Sequence, residues 1–381
     1  MRGRASEQHG MWVFYDPESL ISPKHPLRAV KRRADAVLAG MGSEFDRAYA
    51  AMGRPSIPPE ILLKALLLQA LHSIRSERML VEQIGVNLAY RWFLDLAPDA
   101  PVWDATTFTK SRQRFESHGL LRSFFDRIVE GAYLEKLASQ EHFSVDGSLI
   151  ESYASLKSLR PIDSADRKVS DGSDDGDPGN PTVRFRGEKR TNATHRSLSD
   201  PEARLMKKAD GQATRLSHQL SALMENRSGL LIDLSVAEAN GTAEREQALV
   251  LLERSRRRHR LPRRRTLGGD GGYYGGELLS ELERARVRAH VPVPAGAIDP
   301  KGKGAAARLR ARKRMKSAAY QVSQRLRKRI EEIFGWAKQI GGLRRSRHVG
   351  RWKLAQHALV VGAAYNLVRL ARLQPCPRGA A

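Results

Sequence analysis

The stretch Gln324–Arg347 reads QRLRKRIEEIFGWAKQIGGLRRSR and predicts one helix, closed by Gly341-Gly342. Leu326, Ile330, Ile333, Phe334, Ala337 and Ile340 recur at the spacing of a single apolar helical face. Paired glycines followed by arginines are a C-terminal stop signal. That face must dock on a core. With Arg327 at zero and about 100° per residue, Glu331 falls at about 40°, Lys338 at about 20° and the apolar stripe at about −90°. Arg327, Glu331 and Lys338 therefore share a narrow strip beside the core. Glu332, at about 140° on the same wheel, is turned to solvent or a bound partner. Alone, Arg327 and Glu331 read as an i,i+4 ion pair worth about 0.2–0.5 kcal/mol. A functional strip requires further carboxylates that converge on it from elsewhere in the chain.

Composition narrows what such a strip would serve. The 381 residues carry 66 Lys and Arg against 42 Asp and Glu, a formal net charge of +24. That excess points to a polyanionic partner, most simply nucleic acid. The longest apolar runs, Ile61–Leu71 and Ala358–Leu370, are too short or too interrupted to span a bilayer, and MRGRASEQHG lacks the apolar stretch of a signal peptide. A cytoplasmic protein with no membrane partner is expected. The single cysteine, Cys376, excludes intramolecular disulfides and thiolate metal clusters. Any metal is then expected on oxygen ligands, which favours Mg2+ or Mn2+ over zinc.

Along the chain, Pro58-Pro59-Glu60 opens an apolar helix, Ser76–Val86 and Leu88–Leu96 read as two more, and Ala105-Thr106-Thr107 caps another through Phe115. This predicts a helical N-terminal domain over 1–137. From 138 to 375 the pattern changes. Phe143-Ser144-Val145-Asp146 alternates as a strand, and Thr214–Met224 and Leu230–Val236 form a hairpin around Glu225–Gly229. A helix follows from Thr242, then a strand ending at Asp270, a helix from Glu277 and a strand from Val287. Residues 160–196 lack apolar periodicity and are expected to be a disordered insertion; its acidic run Asp171–Asp177 reads as a solvated loop. GGYYGG after Asp270 is followed by no GK[ST] and fits no dinucleotide register, so it is not a nucleotide loop. Arg254–Arg265, RSRRRHRLPRRR, packs eight arginines into twelve residues and reads as a phosphate-binding run or a solvated turn.

This element order is that of a ribonuclease-H-like α/β domain. Two strand-borne aspartates, Asp146 and Asp270, and a helix-borne Glu331 suit two divalent cations about 3.5–4 Å apart in phosphoryl transfer. VDGSLIES around Asp146, DGGYY at Asp270, and RKRIEEIFGWAK with GGLRRSRH around Glu331 resemble the three acidic motifs of DDE transposases, and most closely the insertion-sequence-five family of bacterial mobile elements. THRSLSDPEARL from Thr194, LMENRSGLLIDLSVAEANGTAERE from Leu223 and the helical Ile57–Phe115 resemble that family's linking text and N-terminal domain, so the resemblance covers most of the chain.

The resemblance implies that Asp146, Asp270 and Glu331 form the catalytic, metal-binding triad for two Mg2+ or Mn2+ ions. It implies that Arg327 and Lys338 contact phosphates near the scissile bond, in a motif where Gln324 stands in place of tyrosine. Arg344, Arg345, Arg263 and Arg264 are further candidate DNA contacts. The implied activity is cutting of the element's terminal inverted repeats and joining of the 3′-OH ends to target DNA, by a homodimer or higher assembly on double-stranded DNA, nucleoid-associated when bound. The helix Ala105–Phe115 is a candidate for end recognition or a piece of core. Two other readings stand beside this one: a non-catalytic DNA-binding protein derived from a transposase, and a nuclease of the same fold.

Overall fold

The computed structural model describes residues 16–50, 52–53, 55–162, 183–185, 188–207 and 212–373. The acidic run Asp171–Asp177 and Cys376 lie outside the described residues. The described elements before residue 142 are all helices: α1 (Pro17–Leu20), α2 (Pro26–Ala39), α3 (Gly42–Ala48), α4 (Pro59–Leu71), α5 (Glu77–Val86), α6 (Leu88–Phe93), α7 (Thr106–Ser117) and α8 (Leu120–Leu134). Their starts follow local chemistry. α4 carries Pro59 in its first turn, and the Ser76 hydroxyl caps α5 by accepting from Met79 N at 3.1 Å. The first turn of α7 is capped by Asp104, whose Oδ1 accepts from Thr106 N at 2.8 Å, rather than by a threonine. α7 buries Phe108, Ser111 and Phe115 and exposes Lys110, Gln113 and Arg114, so it is core on one side and a polar, basic surface on the other.

The sheet-bearing part follows as β1 (His142–Glu151), β2 (Leu159–Pro161), β3 (Val183–Phe185), β4 (Glu188–Arg190), β5 (His195–Ser197), β6 (Arg204–Met206), β7 (Arg215–Glu225), β8 (Leu231–Glu238), α9 (Ala243–Arg258), β9 (Arg265–Gly268), α10 (Gly276–Arg284), β10 (Val287–His290), α11 (Ala305–Arg314), α12 (Ala318–Arg327), α13 (Ile330–Gln339) and α14 (Arg351–Leu373). In the main sheet β10 is parallel to β9 and β9 to β1, β1 is antiparallel to β7, and both β8 and β6 pair antiparallel with the far edge of β7. The β7–β8 hairpin turns as its sequence predicts. The buried Glu225 carboxylate accepts from the amides of Arg227 and Ser228 at 2.7 and 2.9 Å, and Gly229 takes a φ of 74° that disfavours any side chain.

Two expectations are corrected. The segment 160–196 is not structureless throughout: where it is described, β2 pairs with β5 and β3 with β4, in strands too short to leave a periodic signature. The helix expected from Gln324 to Ile340 is two helices, α12 and α13, joined at Lys328-Arg329. At the joint the hydrogen bonds shorten to an i→i+3 pattern, from Glu331 N to Lys328 O and from Glu332 N to Arg329 O. The joint has a physical reason. α12 packs on β1, β9 and β10, whereas α13 packs on β1 and α14, and a straight helix cannot follow both.

α14 is the centre of the core. It lies against β8 and α8 and reaches α2 and α4, so the helical and sheet-bearing parts share one apolar cluster. Asn366, midway along it, donates Nδ2 to Leu231 O at 2.7 Å and accepts from Leu231 N at 2.9 Å, which satisfies the backbone where β8 leaves its partner. The apolar run Ala358–Leu370 is thus a buried core helix, and no described helix is long and apolar enough to cross a membrane.

The last glycine of GGYYGG serves packing. At Gly276 a Cβ would collide with the Lys303 carbonyl, and at Gly304, whose φ is 70°, it would collide with the Gly276 carbonyl. Two backbones cross here with no room for a side chain. Gly276→Ala is expected to lower stability by about 1–3 kcal/mol, as overpacking does; an unchanged denaturation midpoint would show that the crossing yields freely.

Candidate active site

The parallel register of β1 and β9 pairs Ser144 with Gly268. Two residues further along, Asp146 is still in β1 and Asp270 has just left β9, near enough for its charge to act on Asp146. Asp146 is half-buried in the middle of β1, where its Oδ1 accepts from Gly147 N at 2.8 Å. β9 ends at Gly268, short of the expected strand end, so Asp270 lies two residues beyond it and caps the short turn Gly271–Tyr273, accepting from Gly272 N at 2.8 Å. Burial pushes the Asp146 carboxyl up to about 6. The charges of Asp270 and Glu331 add to this, while the Gly147 amide and Arg327 oppose it.

α12 and α13 bring the other predicted groups to this face. Glu331 is exposed on the first turn of α13, with its charge acting on Asp146. Glu332, next to it, is 3.5 Å from Arg369 on α14, so the two glutamates diverge. Lys338 Nζ donates to Ser148 Oγ at 2.6 Å, which fixes the ammonium two residues along β1 from Asp146. Gln324 Nε2 donates to Gly269 O at 3.2 Å and to His290 O at 2.6 Å, and so staples α12 across the ends of β9 and β10. Its Oε1 accepts from Arg327 Nε at 3.4 Å. The residue that stands in place of a tyrosine thus positions the helix that carries Arg327.

The remaining predicted contacts are more dispersed. Arg344 and Arg345 follow Leu343 alongside the end of β1. Arg345 is directed to the carbonyls of Ser152 and Tyr153 at 3.4 and 3.2 Å, and the exposed Arg344 accepts from Glu151 N through its backbone. Arg263 and Arg264 are exposed before the first residue of β9, at the opposite end of that strand from Asp270. The basic run they belong to is largely spent on internal pairing. Arg254 is held by Asp233, Arg256 and Arg257 by Glu253, and Arg258 lies 3.5 Å from Asp126, while Arg265 is buried against Leu252 O. Arg264 instead lines an open basin with Arg286, Arg288, Arg310 and Arg314.

One acidic group at this face was not anticipated. Glu244, in the first turn of α9, is half-buried, and its carboxyl is raised by burial and by the charges of Asp146 and Asp270. An acidic residue in a first turn is the usual complement to the helix dipole, which hides it in the sequence. As the side chains stand, no group of three His, Cys, Asp or Glu among the described residues is gathered closely enough to hold a metal ion. The donor set nonetheless fits a hard divalent cation: these are carboxylate oxygens alone, and burial and neighbouring acids raise the carboxyls of Asp146 and Glu244, a cost that such a cation would relieve.

Two family models match the chain. Residues 15–114 match the family described as Transposase domain (DUF772), and residues 181–367 match the Transposase DDE domain. The second match contains Glu244, Asp270 and Glu331 but not Asp146. Among curated proteins none matches. Solved structures that are similar include a piggyBac transposase synaptic complex with hairpin DNA, at 9% identity over 90% of this chain and 73% of that one with a TM-score of 0.36. A Mos1 transposase paired-end complex is similar at 13% identity over 80% of this chain and 84% of that one, with a TM-score of 0.20. With one transposase family matching its helical part and the transposase DDE domain matching most of its sheet-bearing part, the chain carries the domains of a DDE-type transposase.

Proposed function

We propose that this chain nicks DNA at the terminal inverted repeats of its own mobile element and joins the freed 3′-OH ends to target DNA. In this reading it is a member of the insertion-sequence-five family and works on a ribonuclease-H-like sheet. The observation that supports the reading is Asp146 in β1 and Asp270 just past the parallel strand β9, with the charges of Asp270 and Glu331 both acting on Asp146. Asp146, Asp270 and Glu331 are the catalytic residues and would hold Mg2+ or Mn2+, as two ions. A divalent cation bound there supplies activation of the attacking hydroxyl and neutralises charge on the leaving oxygen.

The chain's own cations complete the site. Arg327, whose charge acts on Asp146, is placed by Gln324 to hold the scissile phosphate. Lys338, fixed by Ser148, meets the same phosphate as a point charge. Arg344 and Arg345 continue this surface along the end of β1. The exposed Arg263 and Arg264 contact DNA beyond the cleavage point, since they sit at the far end of β9. Residues 1–137 form the end-recognition domain, with the exposed side of α7 as its DNA-facing surface, and residues 138–375 form the catalytic domain. Two ends must be handled together, so the working form is a homodimer or higher assembly on DNA.

Binding and chemistry are tested separately. Affinity for duplex DNA is expected to fall with salt at a log-log slope of about −0.9 for each phosphate neutralised; fluorescence anisotropy measures this, and a flat response would remove the nucleic-acid reading. Transposition is tested by incubating the chain and Mg2+ with end-labelled DNA from the flanks of its reading frame and an unlabelled plasmid. Label joined to the plasmid supports the proposal. Nicking without joining would leave a nuclease of the same fold.

A further inference from the structure

We infer that Glu244 is a fourth carboxylate ligand of the divalent-cation site, beside Asp146 and Asp270. The inference rests on the metal-dependent reading above and adds a residue to it. The Glu244 carboxylate is held by a built arrangement. Its Oε1 accepts from Gln219 Nε2 at 3.2 Å, on β7 next to β1. A Cβ at Gly147 would lie 2.5 Å from that same Oε1 and would collide with the Gln219 amide, so only glycine after Asp146 leaves room for the pair. The other oxygen, Oε2, lies on the side of Gly272, 3.7 Å from the position a Cβ there would take, with Asp270 Oδ1 3.0 Å from that same position. One Glu244 oxygen is thus pinned by an amide donor, and the other shares the space beside Gly272 with Asp270.

Tyr273 is an independent sign that a ligand belongs among these acids. Its ring is 1% exposed, and its hydroxyl is buried with no hydrogen-bond partner among the described residues. The charges of Glu244, Asp146 and Asp270 act on it, and burial together with those charges holds the phenol well above its usual range. A buried O–H calls for an acceptor, which a water or phosphate oxygen held by a bound ion would supply and the ion itself would not. A carboxylate pinned through one oxygen beside a ligating pair is the kind of group that either ligates the ion itself or orients those that do, and losing such a group weakens metal affinity by about 10–100-fold. Glu244 is placed for the first of these roles, because its second oxygen shares the space beside Gly272 with Asp270 rather than with a donor.

Binding of Mn2+ to the full-length chain in the absence of DNA, read by isothermal titration, tests this for the wild type, Glu244→Gln, Gly147→Ala, Asp146→Asn and the exposed neighbour Glu246→Gln. Glutamine at 244 still accepts from Gln219, so a merely structural role predicts no change in either Mn2+ affinity or metal-free melting temperature. Ligation predicts that Glu244→Gln weakens Mn2+ binding by about tenfold or more with an unchanged metal-free melting temperature. It also predicts that Gly147→Ala does the same by displacing the carboxylate, and that Glu246→Gln does not. Wild-type Mn2+ affinity in Glu244→Gln, with weakened affinity in Asp146→Asn, would overturn the inference and leave the metal reading standing. Unchanged affinity in both variants would overturn the metal reading itself, and Glu244 with it.

Discussion

Asp146→Asn is expected to abolish Mg2+-dependent nicking of DNA ends, by a thousandfold or more, while the chain stays folded and binds DNA as well as before or better. The size follows from charge: a metal's contribution to the transition state is several kcal/mol, and each ~1.4 kcal/mol is tenfold in rate. Asparagine keeps the shape of the side chain and can still accept from Gly147 N, so β1 and its register survive. DNA affinity holds or rises because a half-buried carboxylate that already sits uneasily beside Asp270 and Glu331 also repels a phosphate, and the amide removes that repulsion. Nicking and anisotropy on one preparation check both halves. Nicking by Asp146→Asn at the wild-type rate would refute the triad. Loss of nicking in Glu332→Gln with normal activity in Glu331→Gln would move the third acid one residue along, against the divergence of the two side chains.

How far the sequence led depended on whether the relevant contacts were local. Period-two alternation at Phe143–Asp146, the hairpin around Gly229 and the apolar strand end before Asp270 were legible because each is written within a few residues. The wheel set Glu331 beside the core and Glu332 toward solvent, whereas both are exposed in the structure, and it assumed one helix where the chain has a joint at Lys328-Arg329. The joint comes from a conflict between the sheet and α14, and neither neighbour is visible in the stretch itself. The run Arg254–Arg265 misled in the same way. Glu253 is near enough in sequence to be seen as a partner, but Asp233 and Asp126 approach only after folding. Glu244 was hidden by looking ordinary where it stands, and Gln219 and Gly147, which seat it, lie on two other strands.

Asp233→Ala is expected to destabilise the folded chain by about 3–5 kcal/mol, the cost of breaking a buried pair and leaving its partners uncompensated. Asp233 is fully buried on β8, where its carboxylate takes Arg122 Nη2 from α8 at 2.6 Å and Arg254 Nε and Nη2 from α9 at 2.7 and 2.8 Å. It is therefore the ionic tie between the helical part, the sheet and the first helix after the hairpin. Burial pushes its carboxyl up, but the two arginines outweigh burial and hold it below the usual range. The sign follows directly. A depressed folded value means that this stability is present above the unfolded carboxylate pKa of about 3.9 and is lost as pH falls through the folded value. The deficit of Asp233→Ala in denaturant unfolding should accordingly be full at neutral pH and shrink in acid. Adding Arg254→Met to Asp233→Ala should recover part of the loss, because Arg122 keeps Asp126 at 2.7 Å whereas the guanidinium of Arg254 loses its carboxylate, and an apolar side chain there needs no counter-charge. If the double variant is no more stable than Asp233→Ala, the cost lies in packing around β8 rather than in the stranded charge, and Asp233 does not tie the two parts together.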